Sequence, residues 1–270
     1  MLGENFYRRL GFLKFRLRKL QKVLGRTRLS TKNVGHFLED FSLAKTDAQE
    51  FLSVDEKKFW RLVEDWPGME EQLFHKKGNL EGFYRSWQGE FARANICANL
   101  FNQFVSADIY HAVQPHIAAA RRVLDYGCGT ASVTLAHASR AANGTEFVLV
   151  ELQKDVRKFI AHRVAKHAWS VQAKDIDQMA GEPPFDLVMC IDVLEHLENP
   201  SQVLAESLLP QVKIGGHLIL RAPWRGQLTH IDEAPEDFYR QGGRQVLAKH
   251  FIEVERIGGN DVDAVYKRVR

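Results

Sequence analysis

The chain has 270 residues, 45% of them hydrophobic and 26% charged, enough for one large domain or a domain with an extension, and no apolar run reaches the roughly 18–20 residues of a membrane-spanning helix. Its three cysteines, Cys97, Cys128 and Cys190, have no metal-ligand or redox spacing, which argues against a disulfide framework and for a reducing, cytoplasmic setting. The net charge of +3 is uneven: residues 1–28 carry nine Lys/Arg against one acid, the remainder 28 against 33, so the basic character is local and a DNA-binding protein is not expected.

Phe6, Leu10, Leu13, Leu17, Leu20 and Leu24 fall on one face of a helix, with Arg and Lys around the others. Charge interrupts this segment too often for a signal-peptide core. It is acid-poor and Arg-rich like a transit peptide, but poor in Ser. As a basic amphipathic helix over 1–28, its residues 4–24 suit an anionic membrane surface, which would make the protein peripheral at the inner face of a membrane. A helix packed on its own domain fits the same pattern.

Residues 29–118 read as a helical cap. In "SVDEKKFWRLVEDW", Ser53 and Glu56 have capping-box spacing, and Pro67-Gly68 is expected to end the helix. A further helical pattern runs from Glu81 to Val113, with Pro115 as a break or kink. Within it Tyr84, Trp87 and Phe91 share a face, either as core or as a lid over a ligand.

From about residue 121 short β-branched runs alternate with helical ones. Strands are expected at "RRVLDY", "EFVLVE", "WSVQAK", "FDLVMCI", "GGHLILRAP", "FIEVERI" and "DAVYKRV". Helices are expected over 131–142, 153–167, 200–212 and 235–249. The alternation predicts an α/β fold: a Rossmann-like, seven-stranded, mostly parallel sheet with helices on both faces, preceded by the helical extension. Only a short turn at Gly258-Gly259 separates the last two strands, so one of them should run antiparallel.

The strand "RRVLDY" runs into Gly127-Cys128-Gly129 and then a helix. Glycine permits positive φ and close approach of a ligand, and the helix end offers unpaired N–H groups. Ser132 stands where a dinucleotide fingerprint has its last glycine, and Asp125 would repel a pyrophosphate but suit a cation.

"VLDYGCGTA" resembles the first motif of class I S-adenosylmethionine-dependent methyltransferases, with Ala131 in its third glycine place. Glu151 after the second strand, Asp175-Ile176 after the third, "PFDLVMCIDVLEHL" and "LLPQVKIGGHLILRAP" resemble the family's later motifs in order, over about residues 120–268. The resemblance implies a cofactor domain over 119–270 that binds S-adenosyl-L-methionine through Asp125, Gly127, Cys128, Gly129, Glu151, Leu152, Asp175, Ile176 and Cys190. It implies methyl transfer to a small-molecule or lipid-like substrate, O-methylation favoured, as in quinone-pathway enzymes. RNA or protein methylation, and a non-catalytic cofactor-binding module, are the alternatives.

His196 is the candidate general base, because its ordinary pKa near 6.5 lets it take a proton from a hydroxyl; capping the loop is its other reading. No metal is assigned. Asp192, Glu195 and His196 resemble the acidic cluster of metal-assisted quinone-pathway enzymes and would be the ligands if one is held; exposed charge is the alternative. After the fifth strand comes a long loop with Trp224, Arg225 and His230. With Tyr84 and Trp87, these are the candidate substrate contacts: Trp224 by stacking or else by packing, Arg225 and His230 by meeting an anionic group or else as solvated charge. The sequence leaves the oligomeric state open.

Overall fold

The computed structural model describes residues 31–77, 80–105, 107–141, 144–224 and 229–270. The amphipathic segment 4–24 lies outside the described residues.

Among the described residues, five helices precede the sheet: α1 (Thr31–Leu52), α2 (Glu56–Lys77), α3 (Leu80–Arg85), α4 (Glu90–Val105) and α5 (Ala107–Ala119). The cap expected at Ser53 belongs elsewhere. Ser53 has φ +52° and its N–H meets the Glu50 carbonyl at 3.2 Å, so it closes α1. Asp55 caps α2, its carboxylate accepting the Lys58 N–H at 2.7 Å, because the three-residue connection leaves Ser53 to the preceding helix. Pro67 does not end α2 but lies inside it. A proline forgoes one backbone bond, while Leu62, Val63, Trp66 and Leu73 are buried on either side of it and hold the apolar face together. Pro115 likewise sits inside α5.

The sheet consists of β1 (Arg122–Tyr126), β2 (Glu146–Val150), β3 (Val171–Lys174), β4 (Phe185–Ile191), β5 (Val212–Arg221), β6 (Phe251–Arg256) and β7 (Ala264–Arg268). Their order is β3-β2-β1-β4-β5-β7-β6. β1 to β5 are parallel, and β7 runs antiparallel between β5 and β6. Between the strands lie α6 (Ser132–Ala138), α7 (Lys154–His167), α8 (Ala234–Arg240) and α9 (Gly243–His250). The helix expected over 235–249 is thus two, broken at Gly242 with φ +112°. The stretch 200–211 is helical but irregular, turning π over Val203–Leu208 and 3₁₀ over Leu209–Gln211.

Alternation along the strands sorts the core into two layers. Val123, Phe147, Leu187 and Ile219 pack on Ile109, Val113 and Ile117 of α5. Leu124, Val148, Val188 and Leu218 pack on Leu204, Leu208, Phe238 and Leu247 on the other face. The cap helices share one apolar cluster with β2, α6 and α7. A buried ion pair adds to that seam: Asp47 of α1 meets Arg163 of α7 at 3.0 Å, and both are essentially without solvent contact. The strand order reverses between β1 and β4, which opens a crevice at the carboxyl ends of these strands, and the cap lies over it.

Candidate active site

β1 delivers the chain to the glycine turn. Gly127 and Gly129 have φ +69° and +55°. A Cβ on Gly127 would fall 2.6 Å from Val193 Cγ2 in the loop after β4, and one on Gly129 2.7 Å from Asn99 Oδ1 of α4. Backbone and space both demand glycine at these two positions. Asp125 is buried at the end of β1 and accepts a hydrogen bond from the Thr134 hydroxyl of α6. Burial pushes its pKa up to about 6, against the Thr134 bond and with the nearby Glu151 charge adding to the rise.

Glu151 closes the turn from β2. Its carboxylate accepts the N–H of Gly129 at 2.9 Å and of Gln153 at 2.8 Å, leaving lone pairs for a ligand's hydroxyls. Burial raises its pKa against those backbone bonds. The amides that such a turn usually offers to phosphate are already bonded: Gly129 to Glu151, Thr130 to Asn99 at 3.3 Å, Ser132 to Gln103 at 2.8 Å. Two buried acids beside satisfied amides disfavour a pyrophosphate and fit a cationic, hydroxyl-bearing nucleoside.

From this turn a cavity of about 1770 Å³ extends under the cap to His196, above the few hundred to 1,000 Å³ of ordinary ligand pockets. Trp66, Tyr84 and Trp87 are on its wall. Trp66 and Trp87 meet edge to face at 4.9 Å, and the Tyr84 ring stands edge-on to His196 at 5.9 Å.

Past β4, Asp192 has φ +57° and is turned toward β5, where Arg221 donates to its carboxylate at 2.7 Å. The 3₁₀ turn Leu194–His196 follows. Nδ1 of His196 lies 2.9 Å from the Thr229 carbonyl. A carbonyl only accepts, so Nδ1 carries the proton and Nε2 the lone pair. Burial lowers the His196 pKa, keeping the ring neutral. Glu195 is wholly buried, and neither of its oxygens has a hydrogen-bond partner among the described residues. Burial, with the Asp192 charge, pushes its pKa well above the carboxylate range. His230 packs edge-on to His196 at 4.9 Å, both its ring nitrogens unpartnered among the described residues, and burial lowers its pKa to about 4. Glu195, His196 and His230 bring one ligand atom each within 4.8 Å of one another. Two imidazoles and a carboxylate with orphaned atoms fit a divalent transition-metal ion.

A family model described as a methyltransferase domain matches residues 92–248. The chain belongs to this methyltransferase family. A ubiquinone biosynthesis O-methyltransferase of Dechloromonas aromatica is 38% identical over 117 residues, 42% of this chain and 49% of that protein. Another, from Pseudomonas aeruginosa, is 35% identical over 106 residues, 38% of this chain and 44% of that one. The chain thus spans about half the length of the curated relatives it matches. The solved structure of an O-methyltransferase family protein from Burkholderia thailandensis aligns over 77% of this chain and 71% of its own, at 16% identity and a TM-score of 0.48. The family match opens inside α4, ahead of β1.

In this chain, Asp125, Gly127, Cys128, Gly129, Glu151, Leu152 and Ile176 line one end of the cavity, and Tyr84, Trp87, Asp192 and His196 the other. Asp175 is elsewhere: it caps the turn Ile176–Gln178 and pairs with Arg157 at 2.7 Å. Cys190 is buried against Leu124 and Tyr126, and it is its neighbours Met189 and Ile191 that line the cavity. Trp224 packs on Phe238 at 5.1 Å, off the cavity. The sequence assigns no metal and offers Asp192, Glu195 and His196 as ligands if one is held; the atoms that converge are those of Glu195, His196 and His230, while Arg221 pairs with Asp192. Arg225 lies outside the described residues. Four contributors escaped the sequence reading. Asn99 and Gln103 do carry a signal, two amides four apart and therefore on one face of α4. Thr229 acts through its backbone, and Arg221 through pairing across strands, neither of which a sequence pattern shows.

Proposed function

We propose that this protein is an O-methyltransferase that moves the methyl group of S-adenosylmethionine to a hydroxyl of a small, lipid-like ring compound of the kind processed in quinone biosynthesis. The observation that carries this reading is the single cavity joining an acid-lined glycine turn to a neutral, correctly protonated imidazole under an aromatic roof. The quinone-pathway relatives support the class of acceptor.

When bound, S-adenosylmethionine supplies a sulfonium methyl. Asp125 and Glu151 favour its positive charge and ribose hydroxyls, and the two glycines admit it at short range. Trp66, Tyr84 and Trp87 offer apolar faces to the acceptor ring. His196 Nε2 takes the hydroxyl proton, while the Thr229 carbonyl holds Nδ1–H and Tyr84 packs against the ring. Holding both substrates in one cavity makes the transfer effectively intramolecular. If Glu195, His196 and His230 held a divalent cation instead, the Nε2 lone pair would belong to the metal, and the cation's charge rather than the imidazole would favour ionisation of the acceptor hydroxyl. The basic stripe at 4–24 suits presentation of a lipid-like acceptor at an anionic bilayer.

The test is incubation of the full chain with methyl-labelled S-adenosylmethionine and three acceptor sets: hydroxylated quinone precursors, RNA and protein. Label on an oxygen of the organic-soluble product is expected. Label in RNA or protein instead overturns the acceptor class, and label in none despite donor binding leaves a cofactor-binding module.

A further inference from the structure

The glycine turn is held from outside its own domain strand. Gln103 of α4 donates through Nε2 to the Cys128 carbonyl at 2.8 Å and accepts through Oε1 from the Ser132 N–H at 2.8 Å. The same oxygen accepts from the Thr130 hydroxyl at 2.9 Å. One turn of helix earlier, Asn99 Oδ1 accepts from the Thr130 N–H and hydroxyl, both at 3.3 Å. Both side chains also line the cavity, and both are what a Cβ on Gly129 would strike, at 2.7 Å and 3.0 Å.

We propose that Asn99 and Gln103 are positioning residues for the methyl donor: two amides of the cap that fix the glycine turn in its left-handed conformation and occupy its helix-end N–H groups. This deepens the donor reading above and rests on it. An amide suits the task because it gives and accepts at once, matching a carbonyl on one side of the turn and an N–H on the other. Without it, Ser132 and Thr130 N–H sit at a helix start with no partner inside the helix, and the turn has Ala131 also in left-handed backbone, at φ +50°. A turn of this kind relaxes once its external ties are cut. The cap helix is therefore part of the donor site, which accounts for the family match beginning within α4.

The test uses the full chain with Gln103→Met and Asn99→Leu, which keep approximate shape and remove the hydrogen bonds. Three quantities are read: amide hydrogen exchange over 127–132, calorimetric affinity for S-adenosylhomocysteine, and melting temperature. Faster exchange at Thr130 and Ser132 is expected, with a dissociation constant about tenfold higher for each variant, the size of one to two lost hydrogen bonds. The donor KM should rise while kcat at saturating donor stays within about twofold. A folded variant with lowered melting temperature but unchanged exchange in the turn and unchanged affinity overturns the proposal and leaves the amides as packing. If Gln103→Met does not fold, Asn99→Leu carries the same comparison. Should the unaltered chain fail to bind S-adenosylhomocysteine, the donor reading falls, and exchange at Thr130 and Ser132 alone decides whether the amides hold the turn.

Discussion

Nδ1 of His196 lies 2.9 Å from the carbonyl oxygen of Thr229, and this contact fixes which nitrogen carries the proton. With the proton committed to Nδ1, Nε2 is a lone-pair site on a ring that burial keeps neutral. A general base in this role contributes about 10²–10⁴ in rate. His196→Ala is therefore expected to lower turnover by about that factor while affinity for S-adenosylhomocysteine, measured calorimetrically, stays within about twofold. Loss of donor binding alongside turnover would assign His196 to the architecture of the loop.

Behind His196, the orphaned atoms of Glu195 and His230 are costly unless something satisfies them, about 1–3 kcal/mol for each group. A divalent cation held there would satisfy one atom of each and would favour the ionised form of Glu195. Purified protein is expected to carry a divalent metal by elemental analysis, and dialysis against a chelator should lower its melting temperature. Glu195→Gln and His230→Ala should each reduce the metal content. A metal-free preparation with a melting point indifferent to added divalent ions would show that the cluster is a neutral hydrogen-bonding group.

Much of this was legible in the sequence, and what was missed follows a pattern. "FDLVMCI" gave β4 with its bounds, Phe185–Ile191, since a strand buried on both faces reads as an unbroken apolar run. Asp125, Gly127 and Glu151 sit together because each ends or follows a parallel strand, a position the motif order supplies. A motif locates a strand without saying which face a residue takes, so it did not show that Met189 and Ile191 rather than Cys190 line the cavity. The pairing of Asp192 was not legible because its partner, Arg221, is 29 residues away on the neighbouring strand. Pro67 misled because local propensity predicts a helix end that the packing of Trp66 and Leu73 overrides.

Ala131 allows a direct test of strain at the donor turn. It is buried and left-handed, with φ +50° and ψ +27°, in the place where the resembling motif has its third glycine. Left-handed backbone costs an L-residue about 1–2 kcal/mol, whereas glycine loses about 0.5–1 kcal/mol through the greater freedom of its unfolded state. Ala131→Gly should leave stability unchanged or raise it by up to about 1 kcal/mol, roughly 2–4 °C in melting temperature for a chain of this size. A fall of several degrees would mean that the Ala131 methyl group contributes more to the cap interface than the strain costs.

Glu70 offers a test of the acceptor end of the cavity. It lies on α2 on the cavity wall, and burial pushes its pKa up from 4.5 to about 7. Because the folded value exceeds the unfolded one, the native state binds this proton more tightly. Ionising Glu70 therefore destabilises the fold progressively as pH rises from 4.5 to about 7, and by a constant amount above that. Glu70→Gln should be neutral near pH 4.5 and stabilising above pH 7, by about 1–3 kcal/mol. The same titration changes the charge facing an acceptor ring, since the Glu70 charge is felt at Tyr84. For a neutral acceptor, KM in the unaltered protein should rise between about pH 6 and 8 as the carboxylate forms. In Glu70→Gln that rise should disappear, with kcat following His196 as before. Denaturant titrations at pH 5 and pH 8 and acceptor KM across the same range check both halves. A Glu70→Gln variant whose stability difference from the parent is the same at the two pH values would show that Glu70 is ionised throughout and solvated from the cavity.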